Sequence, residues 1–152
     1  MFPTFLVLAF ISIATVYSVV EIPKKENETY MVAADVSALN FIAYRSAVSN
    51  YLSANPSATG TIADTDLAPY WEPGYIRNAN WTNWVNGSLV YVYSTTTLTS
   101  GTLNKIFERS NSSALIGTKS PATGRLISAN GLDTGIALPA GIPNSALVMM
   151  GK

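Results

Sequence analysis

Apolar residues along the chain follow three successive patterns: continuous, then spaced by three and four, then alternating. The first occupies Met1 to Val20, where no side chain is charged and the run from Phe5 to Val20 is apolar on every face, broken only by Ser12, Thr15 and Ser18. A helix of roughly 20 such residues rises about 30 Å, the thickness of a bilayer's hydrocarbon core. The three hydroxyls can bond back to the preceding turn, and Tyr17 suits the headgroup region near one end. The pattern predicts a membrane anchor over residues 1–22. A cleaved signal peptide would carry basic residues before its apolar core and Ala-x-Ala-like spacing after it, and both are missing. A buried core helix would be shorter and less uniform.

Pro23 is expected to end or kink this helix, and the run Lys24-Lys25-Glu26-Asn27-Glu28 reads as a charged linker over residues 23–30. The second pattern follows. Phe41, Tyr44, Val48, Tyr51 and Leu52 recur at helical spacing, with Val32, Val36, Leu39 and Ala43 as a neighbouring stripe, so Met31 to Asn55 is expected to be one long helix closed by Asn55-Pro56. Residues 57–74 are rich in Pro and Gly and read as turns.

The third pattern is strand-like. Two β-rich runs, Asn80 to Val85 and Ser88 to Ser94, flank Asn86-Gly87, a strong hairpin signal because the turn favours positive φ. Val90 and Val92 alternate with Tyr91 and Tyr93, which predicts a core face and a half-exposed aromatic face. Thr102 to Arg109 reads as a short helix. Residues 114–119 and 125–128 read as a second hairpin, Ile136 to Pro139 as a further extended piece, and Ala146 to Met150 as a strand tucked centrally into a sheet. The whole predicts an α+β fold: an N-terminal transmembrane helix, then one long helix packed on a mostly antiparallel β-sheet with a short second helix, the soluble domain covering residues 31–152.

Composition narrows the functions. Only 12% of residues are charged, with nine basic balancing nine acidic, which argues against nucleic acid as a partner because phosphate binding needs a clustered basic surface. Polarity comes from Ser, Thr and Asn, a composition common in exported proteins. The chain has neither Cys nor His, so it lacks thiol chemistry, the commonest general base and the commonest zinc ligand. An enzyme, a bound cofactor and a small-molecule substrate are therefore not expected.

Each candidate for chemistry has a plainer explanation. Asp133-Thr134-Gly135 matches the aspartic-protease triplet, but too little chain follows it for the rest of that fold, and a turn between strands accounts for it. Asp64, Asp66 and Glu72 suggest a hard-cation site without the remaining ligand positions. Gly117-Thr118-Lys119-Ser120 lacks the upstream glycine of a phosphate loop. Four Asn-x-Ser/Thr sequons, at Asn27, Asn80, Asn86 and Asn111, arise readily in so polar a chain. Trp71, Trp81, Trp84, Tyr70, Tyr75, Tyr91 and Tyr93 form a dense aromatic group, core or binding face. Of these, Tyr91, Tyr93, Trp81 and Trp84 are the candidates for docking a partner.

Several segments carry a family likeness: the apolar start, the helix with Tyr44-Arg45-Ser46-Ala47-Val48, the Gly60-Thr61 turn, the Trp81 to Tyr93 hairpin, Ser113 to Gly117, and above all Leu138-Pro139-Ala140-Gly141-Ile142-Pro143-Asn144-Ser145-Ala146-Leu147-Val148. In these the chain resembles the small PilM family of type IV thin-pilus systems of conjugative plasmids, which is distinct from the actin-like proteins of the same name. The resemblance implies a non-enzymatic component of the pilin-transport and basal-body apparatus. It further implies a single-pass protein of the bacterial inner membrane with its C-terminal domain in the periplasm, and pilus-assembly or secretion-machinery proteins as partners beside the lipid bilayer. It brings no catalytic residues. Lys24 and Lys25 weigh weakly against that orientation. A pilin-like subunit is the alternative, since Phe2 and Pro23 stand as in type IV pilins. Against it, no basic leader ending in Gly precedes Phe2 and position six is Leu6 rather than an acid. The alternative of another class, an envelope hydrolase, needs a polar constellation that the sequence does not offer.

Overall fold

The computed structural model describes residues 2–87, 89–111 and 113–151, with the side chains of 2–5, 14 and 16–26 outside the description. The first element, α1, is a single helix from Phe2 to Ala54. At about 1.5 Å per residue it is roughly 80 Å long. Pro23 is expected to end or kink it, and the helix does not end there. A proline removes one intrahelical hydrogen bond, and here the turns continue on both sides, so the charged segment 23–30 is helical. Most side chains of the expected anchor lie outside the described residues; among the described residues no helix is long and apolar enough to cross a membrane.

Downstream come β1 (Thr59–Gly60), the one-turn α2 (Asp64–Leu67) and a 3-10 turn (Ala68–Tyr70). The first hairpin pairs β2 (Trp81–Asn86) with β3 (Leu89–Ser94). Asn86 pairs with Leu89, so the turn begins at Gly87, one residue later than the Asn-Gly pair suggests; Gly87 takes φ +60°. Next is α3 (Ser100–Arg109), whose first turn is capped by Thr99 Oγ1 accepting from the Thr102 amide at 3.3 Å. The second hairpin joins β4 (Ile116–Lys119) to β5 (Arg125–Ser128), and β6 (Asp133–Ala137) and β7 (Leu147–Gly151) complete the chain.

These strands form one seven-stranded sheet in the order β1-β2-β3-β7-β4-β5-β6, antiparallel at every pairing. The apolar terminal strand is central, as its composition demands, and all five of its residues are buried. The expected long helix on an antiparallel sheet is found, but it is continuous with the N-terminal segment, and α2 and the 3-10 turn accompany the expected short helix α3.

Alternation then sorts the two sheet faces. One carries Trp81, Val85, Val90, Val92, Ile116, Leu147 and Met149 and is covered by α1 through Ala38, Phe41, Tyr44, Val48 and Leu52. From α3, Ile106 joins the same core. Arg109 fastens α3 to α1 by a two-point fork on Asp35, Nε to Oδ1 at 2.8 Å and Nη2 to Oδ2 at 2.6 Å, and that cation holds the Asp35 carboxyl below its usual range. The second stripe of α1, Val32, Val36 and Leu39, points away from this core and stays exposed.

Asn83 is a polar residue of this face, fully buried but satisfied. It accepts from the Ile62 amide at 2.9 Å and donates to the Ile62 carbonyl at 3.0 Å and the Tyr44 hydroxyl at 2.8 Å. Burial pushes Tyr44 up, and pushes Tyr75 up to about 12.

Candidate functional site

The opposite sheet face carries Trp84, Tyr91 and Tyr93, because residues 84, 91 and 93 alternate with the core-facing 85, 90 and 92. It is not bare. The chain between β6 and β7 folds back across it and seats Leu138, Ile142 and Ala146 against Tyr91, Leu126, Val148 and Met150. Tyr91 is left only 6% exposed. The aromatic face expected to be half-exposed is so at Trp84 and Tyr93, while at Tyr91 the chain covers the middle of the face with its own apolar segment.

Lys119 holds that cover in place. Its side chain is buried on the same face, and Nζ donates to the carbonyls of Ile142 at 2.6 Å and Pro139 at 3.0 Å, with Ala140 at 3.5 Å. Backbone bonds continue the seam: the Lys119 amide to the Ala146 carbonyl at 3.0 Å, and the Ser145 amide to the Lys119 carbonyl at 2.8 Å. No sequence pattern marks this lysine, since a charged residue in a short strand ordinarily faces water.

Beside the cover a cleft of about 330 Å³ remains open, lined by Trp84, Tyr93, Pro139, Ala140, Gly141 and Ile142. Trp84 leans on Tyr91, ring centroids 5.7 Å apart at 51°. Tyr93 is half-buried, which raises its hydroxyl pKa by desolvation. An apolar cleft floored by aromatic rings, with a few polar tips, suits an apolar side chain of another polypeptide.

Of the four docking candidates, Trp84 and Tyr93 therefore meet at an accessible cleft, and Tyr91 forms its buried support. Trp81 lies on the other face. It is fully buried, edge-on to Phe41 at 4.9 Å, and its Nε1 donates to Asn40 Oδ1 at 3.0 Å. Two tryptophans three positions apart on one strand must point to opposite faces.

The remaining chemistry candidates are dispersed. Asp133 opens the edge strand β6, where its Oδ1 accepts from the Gly135 amide at 2.8 Å and its Oδ2 lies 3.7 Å from Arg125. The triplet is thus part of a strand rather than the turn before it. Asp64 pairs with Arg77 at 2.8 Å. Among the described residues no three acidic groups stand close enough to hold a metal ion.

Comparison with known proteins gives one consistent name. A family model described as PilM matches residues 7–150. A crystal structure of a PilM protein from Escherichia coli B7A is similar at TM-score 0.59 and 26% identity, covering 79% of this chain and 92% of its own. A second, a pilM protein from Pseudomonas aeruginosa 2192, gives TM-score 0.44 and 26% identity over 78% and 95%. No curated protein matches.

Proposed function

Because this chain belongs to the PilM family, a pilus-assembly family, we propose that it is a non-enzymatic component of a type IV pilus assembly or pilin-transport apparatus, held in the bacterial inner membrane by residues 1–22. The observation that carries the anchor is the start of α1. Leu6, Val7, Leu8, Phe10, Ile11 and Ile13 are between 56% and 67% exposed, on all sides of the helix, with no part of the fold packed on them. Apolar residues exposed all round a helix are stable only in an apolar surrounding. The same helix runs without a break into the core of the domain.

The domain's role in this reading is docking. It stands in the periplasm and presents the Trp84–Tyr93 cleft to another pilus-assembly or secretion-machinery protein. An aromatic anchor in such a cleft contributes on the order of 2 kcal/mol to binding. Lys24 and Lys25 are too few to hold the domain in the cytoplasm, since long domains translocate largely regardless of such charges.

The anchor and its direction are tested together. The full chain is expected to stay in the membrane pellet after alkaline carbonate extraction, and an alkaline phosphatase fused after Lys152 is expected to be active. Extraction into the supernatant would remove the anchor. An inactive phosphatase beside an active cytoplasmic reporter would reverse the topology.

A further inference from the structure

Among the described residues two buried side-chain nitrogens lack a hydrogen-bond partner, Trp71 Nε1 and Arg45 Nε. The second is the more costly, because it belongs to a cation. Arg45 leaves α1 one residue after the core Tyr44 and crosses the end of β7. Gly151 makes room for it there: a Cβ at that position would collide with the guanidinium. The group borders a cavity of about 320 Å³ between α1, the end of α3 and β7, which Arg109 also lines. Asp35 already neutralises Arg109 through its two-point fork. Among the described residues no acid pairs with Arg45, and the lining beside it joins the apolar Ile42, Leu115 and Met149 to the polar Ser110, Asn111 and Ser113.

From this arrangement we infer that the cavity is a binding site for a carboxylate carried on an aliphatic stem, supplied by a partner polypeptide as an acidic side chain or a chain terminus. A planar guanidinium matches a carboxylate bidentately. A single uncompensated charge suits a monoanion, whereas a phosphate monoester carries nearly two. Ile42, Leu115 and Met149 take the stem. The site lies on the α1 side of the sheet, apart from the Trp84–Tyr93 cleft, and does not depend on that cleft's role or on the membrane anchor.

The full chain labelled at its methionine methyls provides the reporter, Met149 at the cavity and Met31 away from it. Two probes carry the acid differently: acetyl-Leu-Leu with a free terminal carboxylate, and acetyl-Leu-Glu-Leu-amide. Acetyl-Leu-Leu-amide and inorganic phosphate are the comparisons. A saturable shift at Met149 with either acid, absent with the amide and with Met31 unmoved, is the expected result, and the tighter acid names the source. Arg45→Met should weaken that binding at least about tenfold while leaving the protein about as stable as before, because it removes a half-buried side chain whose buried Nε has no partner and puts an apolar chain of similar length in its place. Arg45→Lys, which keeps the charge and loses the fork, should fall between. Equal binding of the neutral amide, equal binding of phosphate, or unchanged binding by Arg45→Met would each overturn the assignment.

Discussion

Lys119→Met is expected to release the segment 138–146 from the sheet and to cost about 2–3 kcal/mol of stability. The lysine is 6% exposed, and its ammonium supplies hydrogen bonds to the Ile142 and Pro139 carbonyls at 2.6 and 3.0 Å. Methionine matches its length but donates nothing, so those carbonyls must turn to water, and they can reach it only by lifting the segment. Leu138 and Ile142 would then leave Tyr91, and the Trp84–Tyr93 cleft would lose one wall. Urea unfolding measures the cost. Hydrogen exchange at the Leu138, Ile142 and Ala146 amides measures the release, since these bond to Gly124, Pro139 and Pro143 carbonyls in the seated segment. Unchanged protection there would mean that apolar contacts alone hold the cover.

The second large effect is expected at Gly117. It sits in β4 between β7 and β5, opposite Val148 on one side and Ser128 on the other. A Cβ there would overlap the Ile127 carbonyl oxygen and crowd the Ser128 backbone. Backbone cannot swing aside as a flexible side chain can, so Gly117→Ala must part β4 from β5. The expected cost is about 3 kcal/mol, or roughly 10 °C in Tm for a domain of this size. Gly124→Ala is the comparison. At Gly124 a Cβ meets nothing, and only the positive φ of 67° opposes it, a strain of about 1 kcal/mol. Equal losses at the two sites, by thermal unfolding, would refute the close-approach explanation for Gly117.

Sequence pattern located most of the scaffold because most of the scaffold obeys simple periods. The three-and-four spacing of Phe41, Tyr44, Val48 and Leu52 is the face that α1 turns to the sheet. The alternation of Val90 and Val92 with Tyr91 and Tyr93 separates the two faces of β3, and the apolar run after Ser145 is the central strand. The failures have physical causes as well. Pro23 removes one hydrogen bond, yet α1 continues through it from Phe2 to Ala54, which the residue type alone does not foretell. β1 is two residues long, too short to show a period, and β6 starts inside an Asp/Gly-rich run that reads as a turn.

The candidate site was half legible. Trp81 and Trp84 read as one aromatic group only while strand alternation is left out of account; their separation by three places them on opposite faces. The cover over Tyr91 was not legible, because Leu138 and Ile142 lie in a Pro/Gly-rich segment with neither helical nor strand period. Lys119 and Arg45 were missed for a related reason. Their surroundings are decided by what the chain brings to them from 20 or more residues away, the carbonyls of 139–142 in one case and Gly151 in the other.

Docking at the Trp84–Tyr93 cleft is tested most directly by removing both rings at once. Trp84→Ala with Tyr93→Ala leaves α1 and its core untouched, since both residues lie on the opposite face, and circular dichroism and thermal unfolding establish that the variant folds. Pilus assembly is then counted in cells carrying the variant, between a deletion strain and the wild type. Assembly close to that of the deletion strain, by folded protein at wild-type abundance, is the predicted result. Assembly at the wild-type level would contradict the cleft's role as the dock.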